Sequence, residues 1–385
     1  MAATSEELAM AKTDLPTGLE EFRAEASAWI DANRHLAPSD YGAIIPIELV
    51  DEGKAWQRHM HEAGYAGIHW DVEHGGRGLT PEHHRVFADL CQEANIPSTF
   101  NLVGLTLSAG AIRLFGTDEQ KRTHLPPMLT AERIWCQLFS EPGAGSDLAG
   151  LTTRAELDGD EWVVNGQKVW TSTGTHSDWA ILMARSEPDE PKHRGISFFV
   201  VDMKSPGIDA RPLYNMAGTA EFAEVFMTDV RLPADSLIGE RGQGWQVAMD
   251  VLAHERSAGT GAVRTIERRI DTMVSRVVAT EPHAVMRDQL MQRWIDGAAL
   301  VAMASQSASA GPRSSLGKLA LSNYRYEVAE LIVNAEGAEG MLASGSTRAL
   351  NTTPGSWFAG GTLQVQRNII GERVLGLAKE PKTSG

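Results

Sequence analysis

The feature that most constrains this chain is a double change of periodicity, once near Ile134 and again near Gly244. Before the first change, residues from about Leu15 to Ala131 read as helical. Leu19, Phe22, Ala26 and Ile30 recur on one helical face, and a second face starts near Trp56. Between these helices, His69 to Gly78 is a turn-rich connection, and Thr80-Pro81-Glu82 reads as an N-cap with proline at the first helical position. Between the changes, β-branched and aromatic residues come in short runs: Trp162 to Val164, Trp179 to Met183, Ile196 to Val201. Asn165-Gly166, set between two such runs, predicts a hairpin. After Gly244 the pattern is helical over about 243–279, 284–310, 313–343 and 363–377, with breaks at Glu281-Pro282, Gly311-Pro312 and Thr353-Pro354-Gly355. Helices, then an antiparallel sheet or small barrel, then helices, make an α+β architecture with domains at 1–132, 133–240 and 241–385.

Composition narrows the function. A length of 385 residues, 42% hydrophobic and 22% charged, suits an ordinary globular chain with a large core. A formal charge of -15 argues against a nucleic-acid binder, because phosphate backbones are met by basic surfaces. Cys91 and Cys136 are the two cysteines, without metal-like or redox-like spacing, so no metal site is expected and a reducing compartment fits. The N-terminus lacks a basic stretch followed by an apolar one, and the apolar runs are too short to span a bilayer. A cytoplasmic protein without membrane insertion is the expectation.

Two clusters suggest chemistry. Ser140-Glu141-Pro142-Gly143-Ala144-Gly145-Ser146-Asp147 sits where an apolar strand gives way to a glycine-rich turn. Glycines there let a ligand approach the backbone and leave amide N–H groups free to donate. The bland reading is a plain inter-strand turn. The second cluster, Asn165 to Gly174, offers the Trp170 ring and three adjacent hydroxyls, Thr171, Ser172 and Thr173. Such a set can cover a planar heterocycle while bonding its edge, although a core tryptophan beside solvent-facing threonines has the same composition.

Together and in this order, the clusters resemble the acyl-CoA dehydrogenase family, whose signatures near the flavin read Ser/Thr-Glu-Pro-Gly-Ala-Gly-Ser-Asp and then Asn-Gly-x-Lys-x-Trp. Further matches are Lys192 to Ser197, Asp229 to Pro233, Gly239 to Trp245 and the tail Gly361 to Gly376, so the resemblance spans roughly Trp56 to Leu377. It implies an N-terminal helical domain, a middle antiparallel β-barrel domain and a C-terminal four-helix bundle, with FAD held between barrel and bundle. Phe139 and Ser140 then lie beside the flavin ring, and Trp170 and Ser172 on its other side. Ser146 and Arg256 match substrate positions at the CoA moiety. Arg287, Asn334, Gly337, Thr362 and Gln364 fall to the rest of the cofactor. The family's chemistry is α,β-dehydrogenation of an acyl-CoA to a trans-2-enoyl-CoA, with electrons passed to an electron-transfer flavoprotein.

Two departures qualify the resemblance. Many members carry the catalytic glutamate just before the Gly-Thr of the C-terminal signature, and here that position is Gly360, which cannot abstract a proton. Other members place it on the first long helix of the C-terminal domain, just before an arginine, where this chain has Glu255-Arg256. A carboxylate there suits a base when desolvation raises its pKa, and the plain alternative is a surface ion pair. The second departure is at the pyrophosphate end. The Arg-x-Phe-Gly element of homotetrameric relatives is shortened to Glu281-Pro282-His283-Ala284, with Arg287 behind it, and the later glycine-rich element carries Glu336 and Glu339. A mixed tetramer, with a second related chain supplying the adenine contacts, accounts for both departures, and a homotetramer remains the alternative. An acyl-CoA oxidase and a silent subunit also stay open. Ala359 and Gly360 leave a roomier acyl pocket, pointing to a branched, long or polycyclic acyl group.

Overall fold

The computed structural model describes residues 18–38, 44–257, 262–305 and 314–379, with backbone only at 253–257 and 262, and the changes of periodicity fall at changes of architecture. The first helices are α1 (Leu19–Asn33), α2 (Val50–Glu62), α3 (Pro81–Glu93), α4 (Ala109–Phe115) and α5 (Asp118–Leu129). Phe22, Ala26 and Ile30 bury one face of α1, while Leu19, at its first residue, stays exposed. Thr80 caps α3 and Pro81 occupies its first turn, where a missing N–H costs nothing. Cys91 and Cys136 are free and buried.

The middle block forms β1 (Trp135–Leu138), β2 (Arg154–Asp158), β3 (Glu161–Ser172), β4 (Trp179–Arg185), β5 (Ile196–Asp202), β6 (Ile208–Leu213), β7 (Phe222–Pro233) and β8 (Leu237–Ile238). They make one sheet in the order β6-β7-β3-β2-β4-β5-β8, with β1 added beside β4. Most pairings are antiparallel as expected, but β1 and β2 each run parallel to β4, so the sheet is mixed. Cys136, Leu138, Ala180 and Leu182 meet Trp162, Val164 and Val225 in one core, so the sheet curls over itself.

The hairpin expected at Asn165-Gly166 is elsewhere. β2 and β3 close through Gly159-Asp160, with Asp158 opposite Glu161 and Gly159 left-handed at φ +68. Asn165-Gly166 lies inside β3, at a bulge against β7. A Cβ on Gly166 would collide with Thr153 Oγ1, so its glycine serves close approach rather than a turn. Asn165 exchanges hydrogen bonds with Asp229 across that bulge.

The last block comprises α6 (Gly244–Ser257), α7 (Ala262–Val278), α8 (Ala284–Ser305), α9 (Ser314–Ala335), α10 (Gly345–Thr352), α11 (Gly355–Phe358) and α12 (Leu363–Ile369). Gly244 starts α6 against the backbone of Ser197 and Phe198 on β5, where a Cβ has no room. Val247, Ala248 and Val251 then bury α6 in the same core as the N-terminal helices. Ile266, Ile270, Met273, Leu290, Leu300, Tyr324 and Val328 form a separate core for α7, α8 and α9. The helix expected over 313–343 ends at Ala335, because Gly337 turns left-handed at φ +59. No described helix is long and apolar enough to cross a membrane.

Candidate active site

β1 delivers Phe139 and Ser140 to the start of the glycine-rich turn. That turn closes on itself, with Glu141 N donating to Ala144 O at 3.0 Å and Ala144 N to Glu141 O at 3.1 Å. β3 runs alongside, and Val169 N donates to Ser140 O at 2.9 Å. The two sequence clusters are therefore neighbours in space.

What fastens them is a buried ion pair. Lys168 is 0% exposed and donates to Phe139 O at 3.0 Å and Glu141 Oε1 at 2.9 Å. Glu141 also accepts from Thr152 N, Thr152 Oγ1 and Thr153 N, at 2.7, 2.7 and 2.8 Å. Burial alone would raise the Glu141 carboxyl. The Lys168 charge and these hydrogen bonds outweigh it and hold the group at about 2. Glu141 is thus a fixed anion, unsuited to taking a proton near neutral pH. Sequence motifs alone assign Lys168 no role, although it shares strand parity with the core residues Trp162 and Val164. A charge at core parity demands a partner, and that was the available signal.

Beyond Lys168, β3 bulges against β7 between Lys168 and Thr171. Trp170 sits in the bulge at φ +60, costing about 1–3 kcal/mol for a non-glycine residue. The bulge turns its ring outward, 57% exposed, braced edge-on by Phe222 at 5.9 Å. Thr171 points inward, and its buried hydroxyl has no hydrogen-bond partner. Opposite, Phe139 is buried, edge-on to Phe198 at 5.7 Å. Cβ atoms built on Gly143 and Gly145 meet nothing within 4 Å, so backbone there is open to a ligand. An outward aromatic face, hydroxyls on the same strand and an open glycine backbone fit a flavin ring with its polar edge.

The remaining expected site residues are scattered. Ser146 is exposed, beside an ion pair between Lys192 and Asp147. Glu255 and Arg256 lie on the last turns of α6, and their side chains lie outside the described residues. Arg287 and Gln364 are exposed on the first turns of α8 and α12, and Asn334 is exposed near the end of α9. Thr362 caps α12, accepting from Val365 N at 3.2 Å. Gly360 and Gly361 turn left-handed at φ +64 and +92. A Cβ on Gly360 would meet nothing within 4 Å, so the space a side chain would fill is open. Glu336, expected to oppose a pyrophosphate, accepts from Ser346 Oγ at 2.6 Å and from Arg276 at 3.3 Å, which largely offsets its charge.

An outward aromatic ring beside an open glycine backbone, on a mixed sheet that lies between helical blocks in the chain, is compatible with a flavoprotein oxidoreductase, and the comparisons give the family. Residues 20–132, 136–230 and 242–375 match, in order, the N-terminal, middle and C-terminal domains of acyl-CoA dehydrogenases. The chain is 36% identical to the acyl-CoA dehydrogenase IpdE1 of Mycobacterium tuberculosis, over 94% of this chain and 99% of that protein. Its fold is similar to that in the ChsE4-ChsE5 complex of Mycobacterium tuberculosis, with a TM-score of 0.78 and 27% identity over 96% of this chain and 100% of that one. It is also similar to the Tcur3481-Tcur3483 steroid ACAD, with a TM-score of 0.77 and 26% identity over 95% and 99% of the two chains. The chain belongs to the acyl-CoA dehydrogenase family. It is accordingly an FAD-dependent oxidoreductase of acyl-CoA thioesters.

Proposed function

We propose that the chain dehydrogenates an acyl-CoA at its α,β bond to the trans-2-enoyl-CoA, with Glu255 as the base. FAD, when bound, supplies the hydride acceptor for the β-carbon. Phe139 and Ser140 would hold one side of its ring, and Trp170 and Ser172 the other. Glu255 takes the proton α to the thioester carbonyl, while Ser146 and Arg256 hold the CoA portion. The observation that carries this reading is the pairing of Gly360, which has no side chain, with a carboxylate at 255 on α6. Glu141 is no competitor, being spent on Lys168, Thr152 and Thr153. The natural electron acceptor is an electron-transfer flavoprotein, and the working compartment is the cytoplasm.

Glu255→Gln should slow anaerobic flavin bleaching by a panel of acyl-CoAs by about 10²–10⁴-fold while FAD stays bound. Unchanged bleaching in that variant would remove Glu255 from the mechanism. The same panel, varied in length, branching and ring content, identifies the acyl group.

We further propose that Arg287, Asn334, Gly337, Thr362 and Gln364 contribute to FAD binding within a mixed tetramer whose second chain completes the adenine end. What supports it is the exposed setting of Arg287, Asn334 and Gln364. Similar structures include the ChsE4-ChsE5 complex and the Tcur3481-Tcur3483 steroid ACAD. The chain purified alone should then retain less than one FAD per subunit. A full, stable complement points to a homotetramer instead.

A further inference from the structure

In the C-terminal block, several hydrogen-bond donors lack an acceptor among the described residues. Among the described residues, Arg269 on α7 and Arg325 on α9 make no ion pair and no hydrogen bond, and Arg269 Nε is buried. Tyr324, next to Arg325 in sequence, is 2% exposed, and its hydroxyl lies against Gly297 with no partner. Lys318, two turns before Arg325 on the same helix, donates to Ser356 O on α11. Trp357, the next residue, has a buried indole N–H that is also unpaired.

The carboxylates nearby are committed elsewhere. Glu327 on α9 and Asp296 on α8 both pair with Arg293. Glu330 accepts from Tyr326, and Glu336 pairs with Arg276. Burial, then the like charge of Arg325, pulls Arg269 down to about 10, and burial lowers Arg325 as well. Lys318 is lowered by burial and then by Arg325, so Arg325 lies within electrostatic reach of both Arg269 and Lys318. Half-buried guanidinium groups left unpaired are costly, and what they lack is specifically an acceptor with negative charge. Ser356 lies four residues before Gly360, the position at which many relatives carry a carboxylate.

We propose that Arg269, Arg325 and the Tyr324 hydroxyl form a binding site for an oxyanion of a bound small molecule, either a carboxylate on the acyl group or a phosphate. Arg presents two N–H donors to such a group in parallel, which suits carboxylate and phosphate alike. The carboxylate source rests on the acyl-CoA reading above, and it names a substrate class: CoA thioesters whose acyl group ends in a second, free carboxylate.

The test is calorimetric titration of the FAD-loaded protein with adipyl-CoA, hexanoyl-CoA and inorganic pyrophosphate, repeated on Arg325→Met and Arg269→Met. A preference for adipyl-CoA over hexanoyl-CoA of about tenfold or more, lost in either variant, assigns the site to an acyl carboxylate. Binding of pyrophosphate that either variant abolishes, without that preference, assigns it to a phosphate. Equal binding of the two thioesters together with no variant-sensitive pyrophosphate binding overturns the proposal. If neither thioester binds, the acyl-carboxylate source is removed, while the pyrophosphate arm still judges the site. Ligand-free Arg325→Met should also melt higher than the parent, because an unpaired cation has gone. A lower melting temperature would mean that Arg325 is already partnered, against the proposal.

Discussion

The β-domain and the C-terminal helices treat buried cations in opposite ways. Lys168 is fully enclosed, yet it has a carboxylate and a carbonyl within 3.0 Å, and that carboxylate is itself saturated by the backbone. Arg269 and Arg325 are less enclosed and have neither. The first arrangement completes itself within the chain, so it holds its shape before any ligand arrives. The second is finished only by something from outside. On the proposed assignments, ring recognition and the choice of what else binds would thus be divided between a preorganised strand pair and a helical face that carries unspent charge.

The largest effect should come from breaking the self-sufficient half. Lys168→Met leaves Glu141 buried without its cation, and losing one partner of a buried pair costs about 3–5 kcal/mol. Chemical denaturation should show that loss, with weaker FAD retention because Phe139 O and Glu141 are no longer tied to β3. The outcome that breaks the comparison is a Lys168→Met protein as stable as its parent. That would make the pair as dispensable as an exposed one.

How much of this was legible beforehand follows the same division. The glycine-rich turn and the Trp170 cluster were readable because their chemistry is local, set by residue types a few positions apart. Asn165-Gly166 misled because a turn-forming dipeptide does not reveal that Thr153 approaches from another strand. The end of α9 at Ala335 was missed because the apolar period runs on past Gly337, and only its left-handed backbone stops the helix. Glu336 read as a liability because Arg276, 60 positions away, cannot be paired with it by inspection. The unpaired arginines were invisible for that reason too: Arg269 and Arg325 converge only once α7 and α9 share a core.

Acid should expose a related asymmetry, somewhat smaller in size. Glu141 is held at about 2 against an ordinary 4.5, so its contribution is intact above the ordinary value and is lost as pH falls toward 2. Urea midpoints of the parent should therefore fall across that window. Glu141→Gln, already destabilised, should lose less over the same range, since position 141 no longer titrates. Parallel curves would show that acid unfolding is governed by other carboxylates.

A step smaller again, Gly166→Ala drives a Cβ into Thr153, at the first bulge of β3. Overpacking of this kind costs about 1–3 kcal/mol, which a melting curve resolves. An unaffected melting temperature would mean that β3 yields at this bulge, and that the strand pair is softer than its hydrogen bonds indicate.

The smallest stability change should accompany one of the larger losses of binding. Trp170 is 57% exposed and touches the fold chiefly through the edge of Phe222, so Trp170→Ala should shift stability by no more than about 0.5 kcal/mol. Alanine at φ +60 keeps the backbone penalty, so the substitution removes the ring without relieving strain. FAD affinity should nevertheless fall, together with the perturbation of the flavin spectrum, because the side chain is displayed for a ligand rather than for the core. Should stability drop with affinity in proportion, the ring is packing and not a platform. The strain carried by the bulge would then have no functional return.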